Sequence, residues 1–278
     1  MAKLVPLSGG YYLWKYLPSL AAAAIFAVLF GVVTCVHSFR LWRSRAWFNI
    51  PFVVGGAFEF IGYVFRIIAR NNTASITSYS VQSVLILLAP VLFAASVYMT
   101  LGRIIRSINA EKLSLVPVRW LTKLFVISDV IAFWVQGGGA GLMVVQSMGT
   151  ISKVIVIIGL VIQVVMFSFF IVTSIMFYRR AQQQLRYEAS DGPQIPWRHH
   201  MFTLYAVSGL ILIRSIYRVV EYAMGMNGYL LSNEWPLYVF DTVLMFLAMV
   251  IWAVRYPGQI RPKKAEMELI APEDEESI

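Results

Sequence analysis

Cysteine, histidine and charge are all scarce in this chain. Among its 278 residues there are one cysteine, Cys35, and three histidines, and charged residues make up only 13%, against about 25% in soluble domains. A lone cysteine excludes an intramolecular disulfide and a cysteine-based metal cage. A catalytic zinc needs three or four converging ligands, and the sequence contains no Walker motif for binding ATP. We therefore expect no cofactor, no metal site and no enzymatic activity.

Long apolar stretches fill most of the chain instead. Hydrophobic residues make up 59% of the sequence. They concentrate in seven runs near the ~20 residues with which a helix crosses a bilayer. Lipid offers the backbone no hydrogen-bond partners, so such runs form helices. The runs are 17–39, 48–68, 81–101, 120–145, 154–178, 201–224 and 236–254. They predict an all-α polytopic membrane protein, a bundle of seven transmembrane helices.

The basic residues lie mostly on one side of these seven spans. A net charge of +9 would indicate nucleic acid in a soluble protein, but here the asymmetry explains it, and we expect no nucleic-acid partner. One side receives Arg40, Arg43, Arg45, Arg103, Arg106, Lys112, Arg119, Lys123, Arg179, Arg180, Arg186, Arg198, Arg255, Arg261, Lys263 and Lys264, and the other only Lys3, Lys15, Arg70 and Lys153. Basic loops stay in the cytosol. The N-terminus is therefore predicted outside and the C-terminus in the cytosol.

This topology divides the chain into three parts. We predict an extracellular segment over 1–16, a membrane domain over 17–255, and a cytosolic tail over 256–278 that begins basic, ends acidic and is disordered. The longest cytosolic loop, 179–200, contains Gly192, Pro193 and Pro196 and is predicted to be a mobile surface loop. Asn71, in a predicted outside loop, begins an Asn-Asn-Thr sequon that is either glycosylated or an unmodified polar turn.

Charged and amide side chains lie inside the predicted spans. Arg214, Arg218 and Glu221 are spaced i, i+4, i+7 and share one helical face. Two arginines on one face repel, so they need anionic partners from other spans. The available anions are Glu59, Asp129 and Asp241. The predicted substrate-binding residues are Glu59, Arg66, Gln82, Asp129, Gln136, Gln163, Arg214, Arg218, Glu221 and Asp241. Glu234 is placed at the outer mouth, outside this set.

Two interpretations of these residues are open. The first is a paired ionic network that only fixes helix register. The second is a polar pocket for the head group of an amphiphile, in which an ammonium would prefer the carboxylates and a phosphate the arginines. Each charge costs about 2.5–3.5 kcal/mol at a helix centre, and apolar packing of equal volume is often as stable. This expense favours the pocket. Pro90 predicts a kink, and the glycines of 137–141 predict close helix packing or a local break lining a cavity.

Short motifs in six of the seven spans carry a family resemblance that runs from about Tyr16 to Tyr256. They read YLPS at 16–19, EFIGYVFR at 59–66, QSVLILLAP at 82–90, AASVYM at 94–99, the stretch 129–136 with the glycines of 137–141 after it, RSIYRVVEY at 214–222 and EWPLYVFD at 234–241. The ordered set resembles the fungal lipid-translocating exporter family, also called RTA-like proteins.

The resemblance implies a fungal multi-pass protein, commonly of the plasma membrane, that confers resistance to toxic amphiphiles. Members are associated with release of sphingoid long-chain bases, with phospholipid asymmetry and, in one branch, with porphyrin or haem uptake. Our first hypothesis is an ATP-independent transporter of such lipids, with membrane lipids and an amphiphilic small molecule as partners. The alternatives are a seven-span receptor-like sensor that signals through loop 179–200 and the tail, and an intramembrane enzyme. Association into a homo-oligomer stays open.

Overall fold

Every regular element in the described part of the chain is a helix. The computed structural model describes residues 14, 16–71, 73–142, 149–187, 197–225 and 228–257, and these ranges contain no strand. The helices are α1 (Leu20–Ser44), α2 (Ile50–Asn71, preceded by a 3-10 turn at Trp47–Asn49), α3 (Ile76–Ser107), α4 (Val118–Leu142), α5 (Gly149–Tyr187), α6 (Trp197–Met224), α7 (Tyr229–Ser232) and α8 (Trp235–Val254). The all-α prediction is confirmed.

Six of these helices are long and apolar enough to cross a membrane: α1, α2 with its preceding turn, α3, α5, α6 and α8. Helix α4 lies where the fourth span is predicted and has 25 residues; it carries Arg119, Lys123 and Asp129 and is not among the six. The structure therefore supports a multi-pass membrane protein. The count of seven spans and the orientation of the termini stay predictions.

Helices adjacent in the chain pack side by side, and α8 returns to contact both α1 and α6, which closes a ring. Helix α3 also packs against α6. In the most apolar stretch of α3, 67% of residues are buried, against 22% in α1. Helix α3 is therefore the central element, and α1 lies at the periphery.

Glycines bring α2 and α3 close together. A Cβ atom on Gly62 would lie 2.7 Å from Ile86 Cγ1, and one on Gly55 would lie 2.9 Å from the carbonyl oxygen of Ala89. Small residues of this kind let membrane helices approach closely. Pro90 lies on α3 in this region, and the helix continues past it to Ser107.

The predicted loop 179–200 needs correction. Helix α5 continues to Tyr187 and α6 begins at Trp197, so the predicted mobile loop 179–200 is wrong at 179–187 and 197–200. The apolar pattern ends before the helices do, because polar residues with good helix propensity, such as Gln182–Gln184, extend α5. Positions 188–196 of that loop, 1–13 of the N-terminal segment and 258–278 of the tail lie outside the described residues.

The glycine-rich stretch of α4 is helical through Leu142, so the predicted local break is wrong. Close packing is confirmed at one glycine. A Cβ on Gly139 would lie 2.7 Å from Val156 Cγ2 of α5, whereas Gly137 and Gly138 have nothing within 4 Å. Helices α4 and α5 are also joined at Gly159, where a Cβ would lie 3.0 Å from the Ala132 carbonyl oxygen.

Candidate functional site

Asp241 of α8 joins the two buried arginines of α6. Its Oδ1 atom accepts a hydrogen bond from Arg214 Nε, and its Oδ2 atom accepts one from Arg218 Nη2. Asp241 and Arg214 are both buried. The i, i+4 spacing on α6 makes this possible, because it places both guanidinium groups on the same face of the helix, one turn apart. Each arginine thus has a charge-assisted bond to a single carboxylate.

The other donors of these arginines are also partly satisfied. Arg218 Nη1 donates to Glu221 Oε2 at 2.9 Å, and Arg214 Nη2 donates to the carbonyl oxygen of Ile86 on α3 at 3.0 Å. Tyr217 donates its hydroxyl to Glu221 Oε1 at 3.3 Å. We call Arg214, Arg218, Glu221 and Asp241 the ionic cluster. Its two positive and two negative charges balance.

A π-helical segment, Tyr238–Val243, carries Asp241 within α8. It lies inside the otherwise continuous helix Trp235–Val254. Asp241 and Thr242, adjacent in sequence, are both buried. Short π-helical insertions of this kind often mark functional sites. Here the segment presents two consecutive polar side chains to the interior of the bundle.

Glu59 of α2 lies beside the ionic cluster without joining it. Its side chain is 1% exposed, and its Oε1 atom is buried with no hydrogen-bond partner among the described residues. The charged groups that act on Glu59 are Asp241, Arg214 and Arg218. One turn further along α2, the hydroxyl of Tyr63 shares a hydrogen bond with Thr242. Glu59 is thus a buried carboxyl group facing a balanced cluster, with capacity to accept further hydrogen bonds.

Arg66 lies on the same face of α2 but pairs elsewhere. Its Nη2 atom donates to Glu234 Oε1 at 2.8 Å and to the Tyr16 hydroxyl at 3.1 Å. Glu234 is the residue before α8, so the pair lies where α2 ends and α8 begins. Glu234 lies at one end of the bundle, and that this end faces outside stays a prediction. Its role as the counter-ion of Arg66 was not predicted from the sequence.

Asp129 of α4 is separate from the arginines. Its Oδ2 atom accepts a hydrogen bond from the Tyr98 hydroxyl at 2.7 Å, and its Oδ1 atom is buried without a partner among the described residues. No ion pair in the described ranges includes Asp129. The rings of Phe125 and Phe170 pack against Tyr98. Asp129 therefore does not pair with the arginines of α6. Their anionic partners are Asp241 and Glu221.

The three glutamines fall into two places. Gln136 of α4 donates from Nε2 to Gln163 Oε1 of α5 at 3.1 Å. Gln82 of α3 is buried, and its Oε1 atom has no hydrogen-bond partner in the described part of the chain. Within the same ranges, no group of three or more His, Cys, Asp or Glu side chains could hold a metal ion. Of the ten predicted site residues, the structure brings Glu59, Arg214, Arg218, Glu221 and Asp241 together.

A repeated spacing could have revealed Glu234. Glu59, Tyr63 and Arg66 on α2 are spaced i, i+4, i+7, and Glu234, Tyr238 and Asp241 have the same spacing around the start of α8. Placed antiparallel, the two triplets bring Arg66 to Glu234 and Glu59 toward Asp241. The structure contains this arrangement.

Known proteins match the chain over most of its length. The family described as RTA1 like protein matches residues 52–264. The chain belongs to the RTA1-like family. It is 33% identical over 280 residues to Protoporphyrin uptake protein 1 of Saccharomyces cerevisiae, covering 88% of this chain and 92% of that protein.

Two further RTA1-like relatives have names that refer to lipid. The probable lipid transporter atnI of Emericella nidulans is 28% identical, over 92% of this chain and 70% of that protein. The sphingoid long-chain base transporter RSB1 of Saccharomyces cerevisiae is 25% identical, over 87% of this chain and 72% of that protein. No solved structure matches the chain. The family match and these relatives confirm the resemblance predicted from the motifs.

Proposed function

We propose that this RTA1-like protein moves amphiphilic lipids with a cationic head group, of the sphingoid long-chain base class, between the leaflets of the plasma membrane without ATP. The movement contributes to lipid asymmetry and to resistance against toxic amphiphiles. Relatives whose names refer to sphingoid bases and to lipid transport support the substrate class.

Glu59 is the observation that carries this proposal. A buried carboxylate oxygen without a partner is costly, and in a candidate membrane span it marks a functional site. The adjacent ionic cluster is balanced in charge, so an ionised Glu59 adds one uncompensated negative charge. A primary ammonium supplies one positive charge and three hydrogen-bond donors. A phosphate head group would instead add negative charge beside a carboxylate.

The other predicted residues take supporting roles in the proposal. Asp241 and Glu221 hold Arg214 and Arg218 in place, and these four can exchange partners with the hydroxyl groups of a sphingoid base. Gln82, Gln136, Gln163 and Asp129 offer polar atoms elsewhere in the bundle along the path of the head group. Arg66 lies at the end that is predicted to face outside.

The test is transbilayer movement of a labelled sphingoid base in liposomes that contain the purified full-length protein. We compare wild type with Glu59→Gln, which keeps the volume of the side chain and removes its charge. Glu111→Gln is the matched control, because Glu111 is a carboxylate with 61% of its side chain exposed, outside the bundle core. Arg218→Ala and Glu221→Ala probe the ionic cluster in the same assay.

We expect movement in wild type and in Glu111→Gln, and a loss of about tenfold or more in Glu59→Gln, as for one lost charge-assisted hydrogen bond. Thermal unfolding of each variant checks that it is folded. If wild type moves the lipid no faster than protein-free liposomes, the transport proposal is wrong for that lipid. Saturable binding without movement would favour the receptor-like sensor.

A further inference from the structure

Three aromatic rings surround the guanidinium group of Arg66. Its Cζ atom lies 5.3 Å from the ring centroid of Trp14, 5.8 Å from that of Tyr16 and 5.6 Å from that of Tyr238. All three distances are within the ~6 Å over which a ring face attracts a cation. Arg66 itself is 1% exposed. The rings come from the segment before α1 and from α8, so the site joins both to α2.

A carboxylate completes this enclosure. Besides the bond from Arg66, Glu234 accepts hydrogen bonds from the backbone nitrogen of Ser19, at 2.9 and 3.1 Å, and from the Tyr238 hydroxyl at 3.1 Å. Glu234 is thereby fixed at the N-terminal end of α1. We call Trp14, Tyr16, Tyr238 and Glu234 the Arg66 cage. Aromatic faces combined with one carboxylate are the construction by which proteins recognise organic ammonium ions.

The cage leaves hydrogen-bond donors unpaired. Arg66 Nε is buried without a hydrogen-bond partner among the described residues, and so is Trp14 Nε1. Each such atom carries the cost of an unmade hydrogen bond. A cage that left no donor of its occupant unpaired would bind that occupant more tightly, so the unpaired Nε atom offsets part of the cost of displacing Arg66.

Polar and aromatic side chains connect the cage to Glu59. Tyr63 lies between Glu59 and Arg66 on α2, shares a hydrogen bond with Thr242 and has its ring 6.4 Å from that of Tyr238. Few backbone atoms of α2 approach this part of α8, and long side chains fill the space between the two helices. Between Glu59 and the cage, a head group would therefore meet side-chain contacts, those of Tyr63 with Thr242 and Tyr238, that its own polar groups can replace.

We propose that the Arg66 cage is a second binding site for the ammonium head of a lipid, and that Arg66 occupies it when the bundle is closed at this end. An ammonium that arrives from Glu59 displaces the guanidinium group, and the bond between Arg66 and Glu234 breaks. This inference rests on the proposed function for its substrate class. It differs by assigning a separate site, built from residues other than Glu59 and the ionic cluster.

The first experiment uses tetramethylammonium, a probe with the charge of the head group and no lipid tail. Its binding to the purified full-length protein is measured by titration calorimetry for wild type, for Arg66→Gln and for Arg70→Gln. Arg70 is the matched control, since it lies four residues further along α2. We expect Arg66→Gln to bind the probe about tenfold or more tightly than wild type, because three ring faces and a carboxylate become available, and Arg70→Gln to match wild type.

Adding Glu234→Gln or Tyr238→Leu to Arg66→Gln should abolish this gain, whereas adding Glu59→Gln should leave it unchanged. A gain that disappears with Glu59→Gln, or Arg66→Gln affinity equal to that of wild type, overturns the proposal.

The second experiment uses the wild-type protein, so it does not depend on the folding of any variant. A sphingoid base with a photoreactive group beside its ammonium is irradiated with the protein in vesicles, and labelled peptides are identified by mass spectrometry. We expect labels at Trp14, Tyr16 or Tyr238, which excess unlabelled base suppresses. Labels elsewhere only, for example around Glu59, overturn the cage and leave the transport proposal intact. If labels lie in the cage but the liposome assay shows no movement, the cage stands and transport fails.

Discussion

Replacing Asp241 by asparagine tests how the ionic cluster is held together. In the native chain, one carboxylate oxygen binds Arg214 and the other binds Arg218. An asparagine offers one oxygen acceptor and one NH₂ group, which is a donor. One of the two arginines therefore faces a donor in place of an acceptor. The variant also removes a negative charge, so the cluster changes from balanced to one positive charge in excess.

The expected loss of stability is large. Removing one partner of a buried ion pair costs about 3–5 kcal/mol, because the remaining charge is buried without compensation. Besides the asparagine oxygen, which one of the two arginines can keep, Arg214 retains the carbonyl oxygen of Ile86 and Arg218 retains Glu221. Glu59 is a nearby acidic group that can offset the excess charge when it ionises. We therefore expect a loss near the lower end of the range in this variant, and a larger loss when Glu59→Gln is added.

A second substitution should restore part of the stability. In Arg214→Gln combined with Asp241→Asn, the uncompensated charge is gone, and Arg218 stays paired with Glu221. Removing both partners is less costly than removing one. We thus expect the double variant to be more stable than Asp241→Asn alone, although it carries one more substitution in the core.

The assay is equilibrium unfolding of the purified protein in mixed micelles, titrated with dodecyl sulfate and followed by circular dichroism. Glu111→Gln serves as the control, because the pair between Arg106 and Glu111 is exposed, its atoms are 3.8 Å apart, and such pairs contribute about 0–1 kcal/mol. A loss for Asp241→Asn no larger than that of the control would refute the buried network. So would a double variant that is less stable than the single one.

Two further predictions concern contacts of helix α4, with α5 and with α3, and use the same unfolding assay. Gly139→Ala should destabilise the protein by about 1–3 kcal/mol, because the added methyl group lies 2.7 Å from Val156 Cγ2. Gly137→Ala, with open space around it, should be neutral or stabilising. Equal effects at the two glycines would show that α4 and α5 are not packed in this way. Tyr98→Phe should lower the free energy of unfolding by about 1–3 kcal/mol, since it leaves both oxygens of Asp129 unpaired among the described residues. Adding Asp129→Leu should recover part of that loss. An unchanged stability in the single variant would argue against the hydrogen bond between Tyr98 and Asp129.

The sequence predicts the helices well because lipid leaves the backbone no other choice. A run such as 81–101 is too long and too apolar for a soluble helix, and α3 duly covers it as Ile76–Ser107. Hydropathy fails at the ends of helices, where polar residues continue the same backbone hydrogen bonds. Thus α5 extends to Tyr187, nine residues beyond the apolar run, while its amides and arginines give no membrane signal.

The side-chain partners were only partly predictable. The spacing of Arg214 and Arg218 shows that they share a face and need an anion, and it made Asp241 one of three candidates. Choosing among those three requires the rotation of each helix about its axis and the order of helices around the ring, and neither is encoded in a local pattern. Asp129 has the same chemistry as Asp241, but α4 presents it to Tyr98.

The contacts between helices also indicate where the bundle can open at least cost. Helices α2 and α3 are joined by glycines, with a Cβ at Gly55 lying only 2.9 Å from a carbonyl oxygen of α3, so separating them would lose close backbone packing along the contact. Helices α2 and α8 also pack closely at Gly56, where a Cβ would lie 2.6 Å from Met249 Cε. Near the start of α8, in contrast, they are joined by hydrogen bonds and ring contacts of Tyr63 and Arg66. Those bonds can be replaced one by one by the polar groups of a ligand. On the proposed function, a head group that replaces them would move the start of α8 away from the α2–α3 pair, and the π-helical segment Tyr238–Val243 lies in this part of α8.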